Sequence, residues 1–214
     1  MARKTKEEAE HTRYRIIDAA QQVFHERGVS RTTLEKVAQV AGVTRGAVYW
    51  HFANKTELFF AMRERMSLDL FERTDRLLLS ETVDDPLDAI EAAMKEFFLI
   101  LEQRQDMRLV FEIIFLRCEY VDEFARVQEE LKKPAYDFLD KVSTVYRRAA
   151  ARGTLRSDLT PDAAARDTWV FMGGLIHQIV GSPPCTEWRE CTDDIIASHI
   201  ALRRRTTRVA APTP

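Results

Sequence analysis

Along most of this chain apolar residues recur at intervals of three and four, the spacing that gathers them on one face of an α-helix. No stretch alternates with period two as a half-buried strand requires, so the pattern predicts an all-α protein of about nine helices. The first spans about Glu7 to Arg27, with Ile16, Ile17, Ala20, Val23 and Phe24 as its buried stripe and Gly28 as its stop. In the second, Leu34 to Ala41, Leu34, Val37, Ala38 and Ala41 share a face; Thr32 with Glu35 is read as its capping box, and Gly42 as its terminator. Thr44 can cap a short third helix through His51. Asn54 with Glu57 opens a fourth, which reaches about Ser80, and a linker over 81–86 follows. This fourth helix is the expected mechanical connection between the N-terminal head and the body. A fifth covers about Leu87 to Gln103. The sixth, about Asp106 to Cys118, is apolar all round and is expected to be enclosed by other helices. Pro134 lies within a seventh, about Asp122 to Arg152, and should kink or restart it. Thr160 and Pro161 start an eighth that ends near Val180. The ninth runs from Glu187 or Thr192 to Arg205, with Arg203, Arg204 and Arg205 at the negative end of its dipole.

Two short helices around a glycine turn make the helix-turn-helix pattern, whose second helix enters the DNA major groove. Val48 and Phe52 can anchor that helix inward, which leaves Thr44, Arg45, Gly46, Tyr49, Trp50 and His51 largely outside, beside Lys55. A merely solvated helix would carry Glu, Lys and Gln at such positions. Aromatics next to Arg and Lys suit a phosphodiester backbone instead: hydroxyl, indole and imidazole groups reach phosphates, Arg45 can fork onto a guanine edge, and Gly46 permits close approach. Charge agrees with this reading only when the chain is divided. The whole carries a net −2, yet residues 1–55 hold 10 basic and 6 acidic side chains, and the other 159 hold 22 and 28. Positive charge is therefore concentrated around the motif. The basic arm of Arg3, Lys4 and Lys6 is either a frayed terminus or a phosphate or minor-groove contact.

The run Thr33-x10-Thr44-Arg-Gly-Ala-Val-Tyr-Trp-His-Phe-x2-Lys55 resembles the TetR family of bacterial repressors. Together with Ala2-Arg-Lys-Thr-Lys6 and Glu112-Ile-Ile-Phe-Leu-Arg-Cys-Glu119 it resembles, more narrowly, the AcrR/TtgR branch that controls multidrug efflux pumps. The resemblance implies a helix-turn-helix domain over 1–53 and a ligand-binding and dimerisation domain over 54–205; residues 206–214 are expected to be a disordered tail. It implies DNA contacts from Lys4, Lys6, Thr33, Thr44, Arg45, Gly46, Tyr49, Trp50, His51 and Lys55, made to a palindromic double-stranded operator. The residues alone leave the large apolar side chains of helices five to eight as core or pocket. The resemblance implies a pocket that takes in Met66, Ala93, Phe97, Phe111, Ile114, Phe115, Cys118, Phe138, Trp169, Met172, Gly173, Ile176 and His177. Phe111 and Phe115 replace the pocket Asn and His of TtgR-like proteins, and Gly173 replaces an acidic residue. The expected ligand is therefore flat, aromatic, uncharged and hydrophobic, flavonoid-like or drug-like. Ile195, Ile196, Ile200 and Leu202 form an apolar stripe on the ninth helix that the residues alone leave as intrachain core or interface; the resemblance implies a homodimer interface through helices eight and nine.

Other classes find little support. No G-x-S-x-G, H-E-x-x-H, P-loop or dinucleotide fingerprint occurs, so an enzyme is not expected, nor a cofactor or metal. No apolar run approaches a membrane span, and the first residues do not read as a signal peptide, so a cytoplasmic protein is expected. Cys118, Cys185 and Cys191 contain no C-x-x-C pair; reduced thiols are the plain reading, and redox sensing through Cys185 and Cys191 the alternative. A regulator of catabolism or signalling is the other alternative to efflux control.

Overall fold

A computed structural model describes residues 6–121, 124–183 and 191–205. The described chain is helical: α1 (Lys6–Arg27), α2 (Leu34–Ala41), α3 (Arg45–His51), α4 (Lys55–Leu78), α5 (Pro86–Gln103), α6 (Gln105–Glu112), a π-helical turn (Ile113–Arg117), α7 (Ala125–Ala151), α8 (Pro161–Gly181) and α9 (Thr192–Ala201). An isolated antiparallel bridge between Leu155 and Arg204 is the β pairing found among these residues. The all-α expectation holds. The chain forms two compact units, Met1–Leu70 with Ile100–Leu131 and Phe71–Leu99 with Lys132–Pro214.

In the first unit the predicted stripe of α1 is buried at all five positions, and Val37, Val48, Phe52, Leu58 and Phe59 close over it from α2 to α4. Val110 and Ile113 complete the same core from α6 and the π-helical turn. That contact corrects the expectation that the fourth helix alone connects the head to the rest. Gln21 Nε2 donates to the Asp106 carbonyl at 2.6 Å, and the Val29 amide donates to the Arg117 carbonyl at 2.9 Å. His25 Nε2 lies 2.8 Å from Glu112, which also accepts from Arg108 Nε at 2.8 Å. The enclosed sixth helix is a second correction: past Ile113 its last turn widens into a π-helix and leaves Phe115 and Leu116 exposed.

Pro134 does not restart α7, which is one helix through it. A proline cannot donate to the carbonyl four residues back. Here that carbonyl, Glu130, accepts instead from Arg63 Nη1 at 3.3 Å.

In the second unit, Tyr146 is fully buried and its hydroxyl lies 2.8 Å from Thr168 Oγ1, which is 3.0 Å from His199 Nε2. Thr160 caps α8 with Pro161 at its first position, as expected. The ninth helix stops at Ala201, before the three arginines. Arg203 still serves that helix end by donating to the His199 carbonyl at 2.5 Å. Arg204 turns instead to the acidic start of α5, pairing with Asp85, Asp88 and Glu91.

Candidate nucleic-acid interface

Local chemistry sets α2, α3 and the turn between them. Thr33, in extended backbone, caps α2 by accepting from the Lys36 amide at 3.2 Å. The expected capping box of Thr32 and Glu35 is therefore displaced by one residue. Thr32 is buried, its hydroxyl donating to the Gly28 carbonyl at 2.8 Å, and Glu35 is left to pair elsewhere. Gly42 adopts a left-handed conformation, φ 65° and ψ 35°. Its amide donates to the Gln39 carbonyl and that of Val43 to the Ala38 carbonyl, the bond pair of a Schellman stop. Arg15 Nη2 donates to the Ala41 carbonyl at 2.6 Å and pins this turn to α1. Thr44 then caps α3, accepting from the Ala47 amide at 3.1 Å. Asn54 and Glu57 open α4 as expected, Asn54 Oδ1 accepting from the Glu57 amide at 2.8 Å.

Val48 and Phe52 point inward and are buried. Outside lie Tyr49, 46% exposed, and Trp50, 73% exposed. Trp50 meets His51 edge to face, with ring centroids 4.5 Å apart. Arg45 Nη1 is 2.5 Å from Glu35 Oε1, and its guanidinium lies 5.3 Å from the Tyr49 ring centroid. Hydrogen bonding to Tyr49, then the charge of Glu35, raises the Arg45 pKa further, so this group stays charged. Gly46 has no internal reason to be glycine: a Cβ there would meet Thr44 Oγ1 at an ordinary 3.9 Å. Glycine in a helix sacrifices roughly 0.5–1 kcal/mol relative to alanine, and packing within the described residues does not call for it here. Lys55 begins α4, its Nζ 3.3 Å from the Ser30 carbonyl and 5.3 Å from the Phe124 ring centroid. Thr33, Thr44 and Lys6 are exposed; Lys4 lies outside the described residues. One exposed face of the first unit therefore gathers aromatic and cationic groups at the start and along the outside of α3.

The residues expected around a ligand divide between the units. Phe111, Ile114, Phe115 and Cys118 belong to the first, where Phe111 and Phe115 stack with centroids 6.3 Å apart and planes 14° apart. Burial pushes the Cys118 thiol up to about 11, which makes it a poor nucleophile at neutral pH. The Met66 side chain lies outside what is described. Ala93, Phe97, Phe138, Trp169, Met172, Gly173, Ile176 and His177 belong to the second unit. Ala93, Phe97, Met172 and Ile176 are buried there, Phe138, Trp169 and Gly173 half-buried, and His177 exposed. Tyr136, absent from the sequence expectation, stacks on Trp169 with planes 8° apart. Its signal was weak because it is an exposed tyrosine in a helix of mixed polarity. Cys191 is half-buried, and Cys185 lies outside the described residues.

The family model for bacterial regulatory proteins of the tetR family matches residues 16–62, from α1 into α4. The HTH-type transcriptional regulator TtgR of Pseudomonas putida is 33% identical over 213 residues, 95% of this chain and 100% of the relative. The chain belongs to the TetR family. Among solved structures this TetR chain resembles the crystal structure of NalD, the secondary repressor of the MexAB-OprM multidrug efflux pump in Pseudomonas aeruginosa. That match has TM-score 0.83 and 31% identity, over 94% of this chain and 100% of NalD. A SmeT–triclosan complex is also similar, with TM-score 0.78 and 32% identity over 95% and 98% of the two chains. The TetR family and these relatives are transcriptional regulators, so an enzymatic reading falls away. No described helix is long and apolar enough to cross a membrane.

Proposed function

We propose that this TetR-family chain is a cytoplasmic, ligand-released repressor of an efflux-pump operon, binding a palindromic operator as a homodimer. The observation that carries the reading is the outer face of α3: charged Arg45, exposed Tyr49 and Trp50, and exposed Gly46. Residues 1–53 act as the DNA-binding domain, with Arg45 on a guanine edge and Thr33, Thr44, Tyr49, Trp50, His51, Lys55 and the N-terminal lysines Lys4 and Lys6 on phosphates. Residues 54–205 bind ligand and dimerise. Efflux control is supported by relatives such as NalD, itself the repressor of an efflux pump, and a hydrophobic aromatic inducer by the aromatic residues Phe97, Phe138 and Trp169 of the second unit.

Dimerisation through α8 and α9 is supported by apolar groups left in water there: Val170 is 65% exposed and Leu202 67%. Gly173 and Gly174 have nothing within 4 Å of an added Cβ, which leaves room for a second helix at close approach. Two heads related by a dyad then read two half-sites. A ligand releases DNA only by binding more tightly to the state with mismatched heads. Moving the dimer from mostly bound to mostly free takes on the order of 5 kcal/mol of such preference. The test has two stages. Duplexes enriched from a random pool by the protein should contain an inverted repeat, and their affinity should fall steeply with salt. Uncharged aromatic compounds that raise the thermal midpoint should then release that duplex; affinity flat in salt, or ligands that never release it, would overturn the proposal.

A further inference from the structure

We propose that Glu35 is a specificity-determining residue of the DNA-binding head, its carboxylate holding Arg45 for a base edge and denying it to the phosphate backbone. The inference rests on the reading that α3 enters the major groove. Glu35 is at the second position of α2 and Arg45 at the first of α3, and the Schellman stop at Gly42 turns one toward the other. Their side chains are 58% and 62% exposed. An ion pair so exposed contributes little to stability, so holding the fold together does not explain its geometry. Tyr49, one turn further along, braces the guanidinium from a second side.

The carboxylate acts differently on the two things Arg45 could bind. A lone exposed arginine is free to take the nearest phosphate and release a counterion. The pair with Glu35 has a net charge near zero, and any phosphate that approaches Arg45 also meets the carboxylate. A guanine edge offers two uncharged acceptors, O6 and N7, so the same repulsion is much weaker there. A guanidinium has five N–H donors, and engagement through Nη1 leaves donors for a bidentate contact. Glu35 therefore lowers affinity for DNA in general more than affinity for the chosen base.

The experiment uses the full chain and two probes: a duplex enriched from a random pool by the unmodified protein, and the unselected pool. Glu35→Gln should raise affinity for the pool roughly tenfold and steepen its logarithmic salt slope by about 1, with a smaller gain on the enriched duplex. The ratio between the probes then falls. In an Arg45→Ala background the same change should move neither ratio nor slope. Glu35→Asp keeps the charge and shortens the reach, so it should preserve the slope and lose part of the ratio. Equal gains on both probes would make Glu35 a simple repeller of DNA and overturn the proposal, as would an unchanged ratio. If Arg45→Ala alone leaves affinity and base preference on the enriched duplex intact, the major-groove reading itself is wrong.

Discussion

Among the large apolar side chains left in water, those on two faces differ in what surrounds them. On α3, Tyr49 and Trp50 stand beside Arg45, with Lys55 at the start of the next helix. On α8, Val170 is exposed and Gly173 and Gly174 leave bare helix backbone, and just past α9 Leu202 is exposed as well. Exposed apolar area does not by itself name a partner. Cations interleaved with aromatics fit a polyanion whose sugars and bases offer apolar faces. A valine, a leucine and two glycines fit another helix, because glycine lets backbones approach and a dyad uses each contact twice.

Breaking the α8–α9 face should have the largest effect. Val170→Asp with Leu202→Asp places charge at the centre of the proposed dimer and should give a monomer by sedimentation. Losing the second head removes the effective concentration that links two half-sites, so operator affinity should drop about 10²- to 10⁴-fold. A double variant that remains dimeric would sever the link between this face and assembly. On the other face, Arg45→Ala should weaken operator binding by about 1–3 kcal/mol and relax preference at one base position while the dimer persists.

Acid should separate the two faces without mutation. Burial, followed by the nearby Arg203 charge, lowers the His199 pKa from 6.5 to about 4. The folded chain thus binds fewer protons than the unfolded chain between those values, so stability rises with pH through that window and is lost on acidification. The expected loss is about 2 kcal/mol between pH 7 and 5, read as a fall in thermal midpoint that His199→Gln flattens. Lys55→Ala should be the mildest change, weakening all duplexes alike and reducing the salt slope by about 1. A loss confined to one base position would instead assign Lys55 a part in reading sequence.

Sequence alone determined the features that depend on a few neighbouring residues: the stop at Gly42, the caps at Thr44, Asn54 and Thr160, and the buried faces of α1 and α2. These are local because a cap closes within three or four residues and a helix repeats every 3.6. The same locality made the outward position of Tyr49 and Trp50 readable from the chain itself. Tertiary structure decided what depends on residues far apart in the chain. It set α6 against α1 through Gln21 and Asp106, 85 residues apart, and Arg204 against Asp85, 119 apart. It brought Arg63 to the Glu130 carbonyl, four residues before Pro134, on a helix that runs on as one element where local rules suggested a kink or restart. Even the pairing of Glu35 with Arg45 needed the turn between them, since a charge in sequence does not say which way its helix will point.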